Sequence, residues 1–181
     1  YQEDGTIQAI EPEQGVPPKI TKRVMMDLDS IYFPDRFVVP YLDIVHNRAV
    51  AEVLRGCIRG CRFCQAGFIY RPFREKSVST IDKQCRDLCE NTGYDEISLS
   101  SLSTSDHRNL NPLLDQLLTW TKDEKIGVSL PSLRVDNFST DMMSKIKTVR
   151  RSGLTFAPEA GTQRLRNVIN KNVTEEQLMK T

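Results

Sequence analysis

Cys57, Cys61 and Cys64 are the residues whose type and spacing point most directly to chemistry. They lie in the run Arg55-Gly56-Cys57-Ile58-Arg59-Gly60-Cys61-Arg62-Phe63-Cys64-Gln65-Ala66-Gly67, spaced C-x3-C-x2-C. Three thiolates this close can grip three irons of a cubane [4Fe-4S] cluster, and the fourth iron is then open to an external ligand. Gly56 and Gly60 let the backbone fold tightly around the inorganic core. Structural zinc is a competing reading, but such sites usually want four ligands, in C-x2-C pairs or with histidine. The nearest candidates for a fourth, Cys85, Cys89 and His107, stand at no usual spacing. Unligated buried cysteines are the blandest reading, although three within eight positions are rare by chance.

The elements around this loop read as alternating strands and helices. Residues 49–54 form a plausible first strand running directly into the cysteines. In parallel βα folds the loops at the C-terminal strand edge converge, which is where ligands belong. Ser79 or Thr80 can cap a helix through Asn91, with Asp82 in its first turn and Gly93 past its end. Residues 96–100 alternate as a second strand. Asn111-Pro112 starts a helix whose apolar face is Leu113, Leu114, Leu117, Leu118 and Trp120. Residues 126–130 give a third strand. Ser139 or Thr140 caps a helix with Met142, Met143, Ile146 and Val149 inward, Arg150-Arg151 at its end and Gly153 as a stop. Residues 154–157 read as a fourth strand and 162–170 as a helix. Thr174 and Gln177 have capping-box spacing.

This pattern predicts an α/β fold: a partial (βα) barrel of about four units around a curved parallel sheet. Residues 1–47 are broken by Pro12, Pro17, Pro18, Pro34 and Pro40 and read as an irregular arm or linker before a core over 48–181. The chain opens on Tyr1 and ends on a helix with no strand after it, so it reads as a piece of a longer polypeptide, truncated at its C-terminal end.

Composition excludes some classes. Hydrophobic residues make up 39%, charged residues 27%, and the net charge is +1, an ordinary globular balance that argues against a dedicated nucleic-acid surface. No apolar run approaches the length that spans a membrane. Five cysteines, three of them crowded together, do not fit a disulfide framework. Gathered thiolates suit a reducing compartment, and the cytoplasm is the expected location.

The cysteine loop, with the aromatic Phe63 before its last cysteine, resembles the signature of the radical S-adenosylmethionine (SAM) superfamily. The longer run from Arg55 to Glu75 is similar to the radical SAM proteins associated with cobalamin-binding domains, in a group of unassigned substrate. Methylthiotransferases are more distant relatives. The resemblance covers roughly residues 48–181. It implies a [4Fe-4S] cluster on Cys57, Cys61 and Cys64, SAM on the open iron, and reductive cleavage of SAM to a 5′-deoxyadenosyl radical.

Further implications attach to the later strand ends. Ser100, Ser101 and Ser103 stand where the family often has a Gly-Gly-Glu-like element for the methionyl amine; this chain departs from it, with serines and Asp106. Arg134 would pair its guanidinium fork with the SAM carboxylate, with a surface arginine as the plain alternative. Glu159 lies in Pro158-Glu159-Ala160-Gly161-Thr162-Gln163-Arg164, similar to a Glu-Ser-Gly-Ser/Thr-Gln-Arg element. It would accept from the ribose hydroxyls or the amine, and Thr162 would open a helix close to the ligand. The resemblance extends to modification of RNA or protein, by methyl or methylthio transfer, and to a flavodoxin- or ferredoxin-like electron donor. Cobalamin would sit in a domain outside this chain. The alternative class is a non-catalytic zinc- or iron-sulfur-bearing binding module.

Four other features have plainer readings. Cys85 and Cys89, at i and i+4, are buried small hydrophobes, since two thiols cannot complete a cluster. His46 and His107 serve in a loop or cap. Arg55, Arg59, Arg62, Arg71, Arg74 and Lys76 surround the cysteines. They would compensate cluster charge or touch RNA, with a solvated basic face expected for those further out.

Overall fold

Side-chain alternation in three short strands sets the architecture. In the computed structural model, which describes residues 1–34, 36–149 and 153–181, β1 (Ala49–Glu52), β4 (Glu96–Ser100) and β5 (Gly127–Ser129) form one parallel sheet in the order β1-β4-β5. Its register places Ala51 opposite Leu99, Glu52 opposite Ser100 and Ser98 opposite Ser129. Because successive side chains point to opposite faces, Ala49, Ala51, Ile97, Leu99 and Val128 share the face that enters the core. The other face carries Val50, Glu52, Ser98, Ser100 and Ser129. Parallel strands packed on both faces are near-continuously apolar; a polar second face marks a surface that lines a cavity.

Three helices cover the apolar face. α2 (Val78–Thr92) buries Ile81, Cys85, Leu88 and Cys89 along one stripe, and ends on Gly93 in the left-handed conformation, at φ 73°. α3 (Leu110–Thr121) buries Leu110, Leu113, Leu114, Leu117 and Trp120. The shorter α4 (Thr140–Ile146) adds Met142 and Ile146, and Ser139 caps it by accepting from the Met142 amide. The cap of α2 is Ser77, two residues before the earlier of the expected pair. Ser77 has extended backbone, and its Oγ accepts from the Thr80 amide at 3.2 Å. α3 starts at Leu110, so Pro112 is its third residue, still within the turn whose amides lack intrahelical acceptors.

The expected first strand is divided. After β1 the chain leaves the sheet, and β2 (Leu54–Arg55) pairs antiparallel with β3 (Arg74–Glu75). The cysteine segment, with the single-turn α1 (Ala66–Ile69), is the excursion between these two strands. The expected fourth strand is absent: 154–157 belongs to no sheet. Its alternating apolar residues are satisfied by packing instead. Leu154 and Phe156 lie against the core, and Phe156 meets Phe138 edge-on with ring centres 5.2 Å apart. Among the described residues there is therefore a three-stranded parallel sheet rather than four βα units. Arg150-Arg151 lies outside the described residues.

α5 (Gln163–Val168) is capped by Thr162, whose side chain accepts from the Leu165 amide. α6 (Glu175–Lys180) carries the expected capping box of Thr174 and Gln177. Residues 1–34 and 36–47 form no helix or strand. Part of this segment is nevertheless fastened down. Leu28 is buried, Lys22 Nζ donates to the Ile69 and Arg71 carbonyls, and Asp29 accepts from the Ser77 amide. Among the described residues no helix is long and apolar enough to cross a membrane.

Candidate functional site

The cysteine loop is held at both ends and at its tip. The β2–β3 ladder pairs Leu54 with Glu75 and Arg55 with Arg74, fixing where the loop leaves and returns. Gly56 follows at φ 90°, and a Cβ there would sit 2.8 Å from the Tyr70 carbonyl oxygen and 2.9 Å from that of Pro72. Only glycine fits. At the tip, the Arg62 amide donates to Ile169 O at 2.9 Å, Arg62 Nη1 to Val168 O at 2.6 Å, and Asn170 Nδ2 to Gly60 O at 2.8 Å. Those three bonds stitch the loop to the end of α5. Within it, the Cys64 amide donates to Cys61 O, and the Arg59 amide to Cys57 Sγ at 3.4 Å.

Cys57, Cys61 and Cys64 line a cleft of about 260 Å³ together with Ser103, Arg134 and Glu159. All five cysteines are free thiols. Among the described residues no three His, Cys, Asp or Glu side chains converge as a ready-made metal site. The cysteines form one wall of the cleft. That arrangement, on three separate positions of a tightly turned loop, fits a polynuclear cluster whose corners take one thiolate each. Cys85 and Cys89 are buried in the core as expected. Burial pushes the Cys85 thiol far above its ordinary value and that of Cys89 up to about 11.

A buried charge network joins this loop to the loops after β4 and β5. Arg59 Nε donates to Asp106 Oδ2 at 2.8 Å, Arg59 Nη2 to Asp106 Oδ1, and Arg59 Nη1 to Asp136 Oδ2 at 3.0 Å. Arg134 donates through Nε and Nη2 to the two oxygens of Asp136, at 2.9 and 3.0 Å, and through Nη2 also to Lys171 O. Ser103 Oγ and Asn137 Nδ2 complete the shell of Asp106, at 2.7 and 2.8 Å. Burial would raise the Asp106 carboxyl, but donation from Arg59 and Ser103 and the nearby positive charges outweigh it and hold it below the ordinary value. Two guanidinium groups and two carboxylates balance, which is the condition for keeping such groups inside. The surface alternative for Arg134 is overturned, since its side chain is only 8% exposed, and its fork is turned onto Asp136.

Glu159 reaches the cleft with a left-handed backbone, φ 67°, and Ser132 in the same wall has φ 60°. Left-handed conformation in non-glycine residues costs energy, and such residues cluster at functional sites. Glu159 Oε1 accepts from Lys171 Nζ at 3.2 Å. The segment after it is organised by Arg166, which is 1% exposed. Arg166 donates through Nη1 to the carbonyls of Ala160 and Gly161, through Nε to Val173 O and through Nη2 to Gln163 Oε1. Sequence reasoning passed over Arg166. Its spacing of three from Gln163, which places both on one helical face, was the available signal.

The remaining expected residues fall beside the cleft. Ser100 and Ser101 line a neighbouring cavity with Gly56 and Tyr70, and Thr162 serves as the cap of α5. His107 is buried in a loop role: Nε2 lies 3.1 Å from Lys76 O, and Nδ1 accepts from the Asn109 amide. Arg74 and Lys76 are not part of a solvated basic face. Both are buried, Arg74 donating to the carbonyls of Met25, Tyr70 and Pro72.

The family model of the radical SAM superfamily matches residues 51–181, most of the chain and all of the site just described. The chain is also 32% identical over 127 residues to an uncharacterized protein of Methanocaldococcus jannaschii. That stretch is 70% of this chain and 27% of the relative, so the chain spans about a quarter of the relative's length. With 131 residues under one family model, and the three cysteines on the β2–β3 excursion that follows the first strand of the parallel sheet, the chain belongs to the radical SAM superfamily.

Proposed function

We propose that Cys57, Cys61 and Cys64 hold a [4Fe-4S] cluster and that SAM fills the adjoining cleft, on the iron without a cysteine. The observation that carries this reading is the shared cleft: three thiols from one loop meet Ser103, Arg134 and Glu159 from three others. When bound, the reduced cluster supplies the electron that cleaves SAM to methionine and a 5′-deoxyadenosyl radical. The chain's own residues bind and orient. Arg59 fixes the loop between Cys57 and Cys61 through Asp106, and its guanidinium would offset the negative charge of a thiolate-bound cluster. Glu159 would accept from a hydroxyl or an amine through Oε2, since Lys171 engages Oε1. Arg134 is held by Asp136, so its part is to present positive charge at the cleft wall rather than to fork onto a free carboxylate. Ser100 and Ser101, in the next cavity, would meet a more distant part of SAM than Ser103 does.

The parent reaction, on the resemblance to cobalamin-associated relatives, is a modification of RNA or protein by methyl or methylthio transfer. A flavodoxin- or ferredoxin-like donor would supply the electron, and cobalamin would come from another domain. Anaerobic reconstitution tests the core of this reading. A brown protein with about four irons per chain and a cluster signal altered by SAM is expected. One tightly bound zinc per chain, with no response to SAM, would establish the binding-module alternative instead.

A further inference from the structure

Lys76, just past β3, is a buried cation with little around its charge. It is 7% exposed, its Nζ donates to Gln84 Oε1 at 2.8 Å, and the Phe33 ring centre lies 5.4 Å away. It forms no ion pair among the described residues. An ammonium has three donors, and a buried one without a counter-charge is costly. Burial accordingly pushes its pKa down, against the pull of Glu52.

Lys76 lines a cavity of about 360 Å³ over the polar face of the sheet, walled also by Phe33, Val50, Glu52, Arg55 and Ser100. Glu52 is already engaged by Arg55, whose Nε and Nη2 donate to its two oxygens at 2.9 and 2.7 Å. Asp29, the other carboxylate acting on Lys76, lies outside this wall and accepts from the Ser77 amide. Among the described residues, two cations and one carboxylate therefore face the space, an excess of one positive charge, beside apolar surface from Phe33 and Val50.

We propose that this cavity binds a carboxylate group carried on an apolar stem, with the carboxylate between Lys76 and Arg55. A single excess charge matches a monoanion, and the volume suits a small acid or one acidic side chain. A second cavity, of about 300 Å³, shares Glu52, Arg55 and Ser100 and extends to Gly56, the neighbour of Cys57. A ligand anchored at Lys76 thus has a path toward the cysteine loop, which makes it the substrate; that last step alone rests on the radical reading.

The test is equilibrium binding to the whole chain, iron-free and reconstituted, so failure of the cluster reading leaves the result standing. The probes are benzoate for a free acid and a short peptide, acetylated and amidated at its ends, with one central glutamate for a side chain. Benzamide and the glutamine peptide are the neutral controls, and inorganic phosphate is a further arm. Benzoate or the glutamyl peptide should bind while its neutral control does not, the tighter of the two naming the source. Lys76→Met, checked for folding by its melting curve, should weaken binding about tenfold or more. Glu52→Gln, which frees Arg55, should tighten it about threefold. The proposal is overturned if neither acid binds, if Lys76→Met binds as well as wild type, if Glu52→Gln fails to tighten binding, or if phosphate outcompetes both carboxylates.

Discussion

Arg59 Nε stands 2.8 Å from Asp106 Oδ2, tying the residue midway between Cys57 and Cys61 to a carboxylate whose side chain is wholly buried. The contact spans the gap between the cysteine loop and the loop after β4, and Asp136 extends it to the loop after β5. Removing one member leaves a largely buried charge with one partner fewer.

Asp106→Asn should lower stability at neutral pH by about 2–4 kcal/mol, less than a fully enclosed pair because Asp136 still serves Arg59. The pH dependence carries a definite sign. Asp106 is held below its ordinary value of 3.8, so its contribution is complete above that value and is lost as pH falls through the lower folded-state value. Urea unfolding at stepped pH should show the gap between wild type and variant closing in acid. A gap that stays constant to the lowest pH would contradict the assignment.

Gly56→Ala should abolish iron binding while leaving most helical signal in place. The new methyl group would meet two carbonyl oxygens within 3 Å, on a backbone that L-residues rarely adopt. The clash and the strain together amount to about 2–4 kcal/mol, concentrated in the loop. Iron content and circular dichroism, measured on the same reconstituted sample, check this. Full iron loading would show that the loop tolerates what the geometry forbids.

Arg166→Met should weaken SAM binding about tenfold with iron content unchanged, because it releases the carbonyls that set the turn after Glu159. Arg166→Lys should not restore it, since one ammonium cannot span Ala160, Gly161 and Val173 as the planar fork does. SAM titration followed by calorimetry separates this positioning role from a general loss of fold, which would lower iron content as well.

Cys85→Ser should leave iron stoichiometry intact and cost about 1–3 kcal/mol, the penalty for placing a hydroxyl where a buried thiol had been. Iron analysis and thermal melting decide between this core role and a ligand role. Loss of iron would reassign Cys85.

Local signals made much of the fold legible. Gly93 as a helix stop, a cap at Ser139 or Thr140, a helix opening at Thr162, the Thr174–Gln177 capping box and the leucine face of α3 all depend on neighbours within a few residues. The cysteine spacing was legible for the same reason. What escaped depends on partners far along the chain. Residues 154–157 alternate like a strand, yet packing of Phe156 on Phe138 satisfies that pattern without a ladder. The β2–β3 pairing, which separates Leu54 from β1, follows from a return of the chain about twenty residues later. Arg74 and Lys76 read only as part of the charged surround of the cysteines, and Arg166 carried no reading; their burial depends on carbonyls and side chains supplied by Met25, Gln84 and Val173. The Asp136 side chain on Arg134 was two residues away and visible, but its geometry was not.

The central claim is that the three loop cysteines present a cluster with one iron left for SAM. Electron paramagnetic resonance of the dithionite-reduced, anaerobically reconstituted chain tests it most directly, with and without SAM. A [4Fe-4S] signal whose g values shift on adding SAM, and which is lost in Cys57→Ala, Cys61→Ala and Cys64→Ala alike, is the predicted result. A cluster signal indifferent to SAM, or one that survives loss of any of the three cysteines, would contradict it.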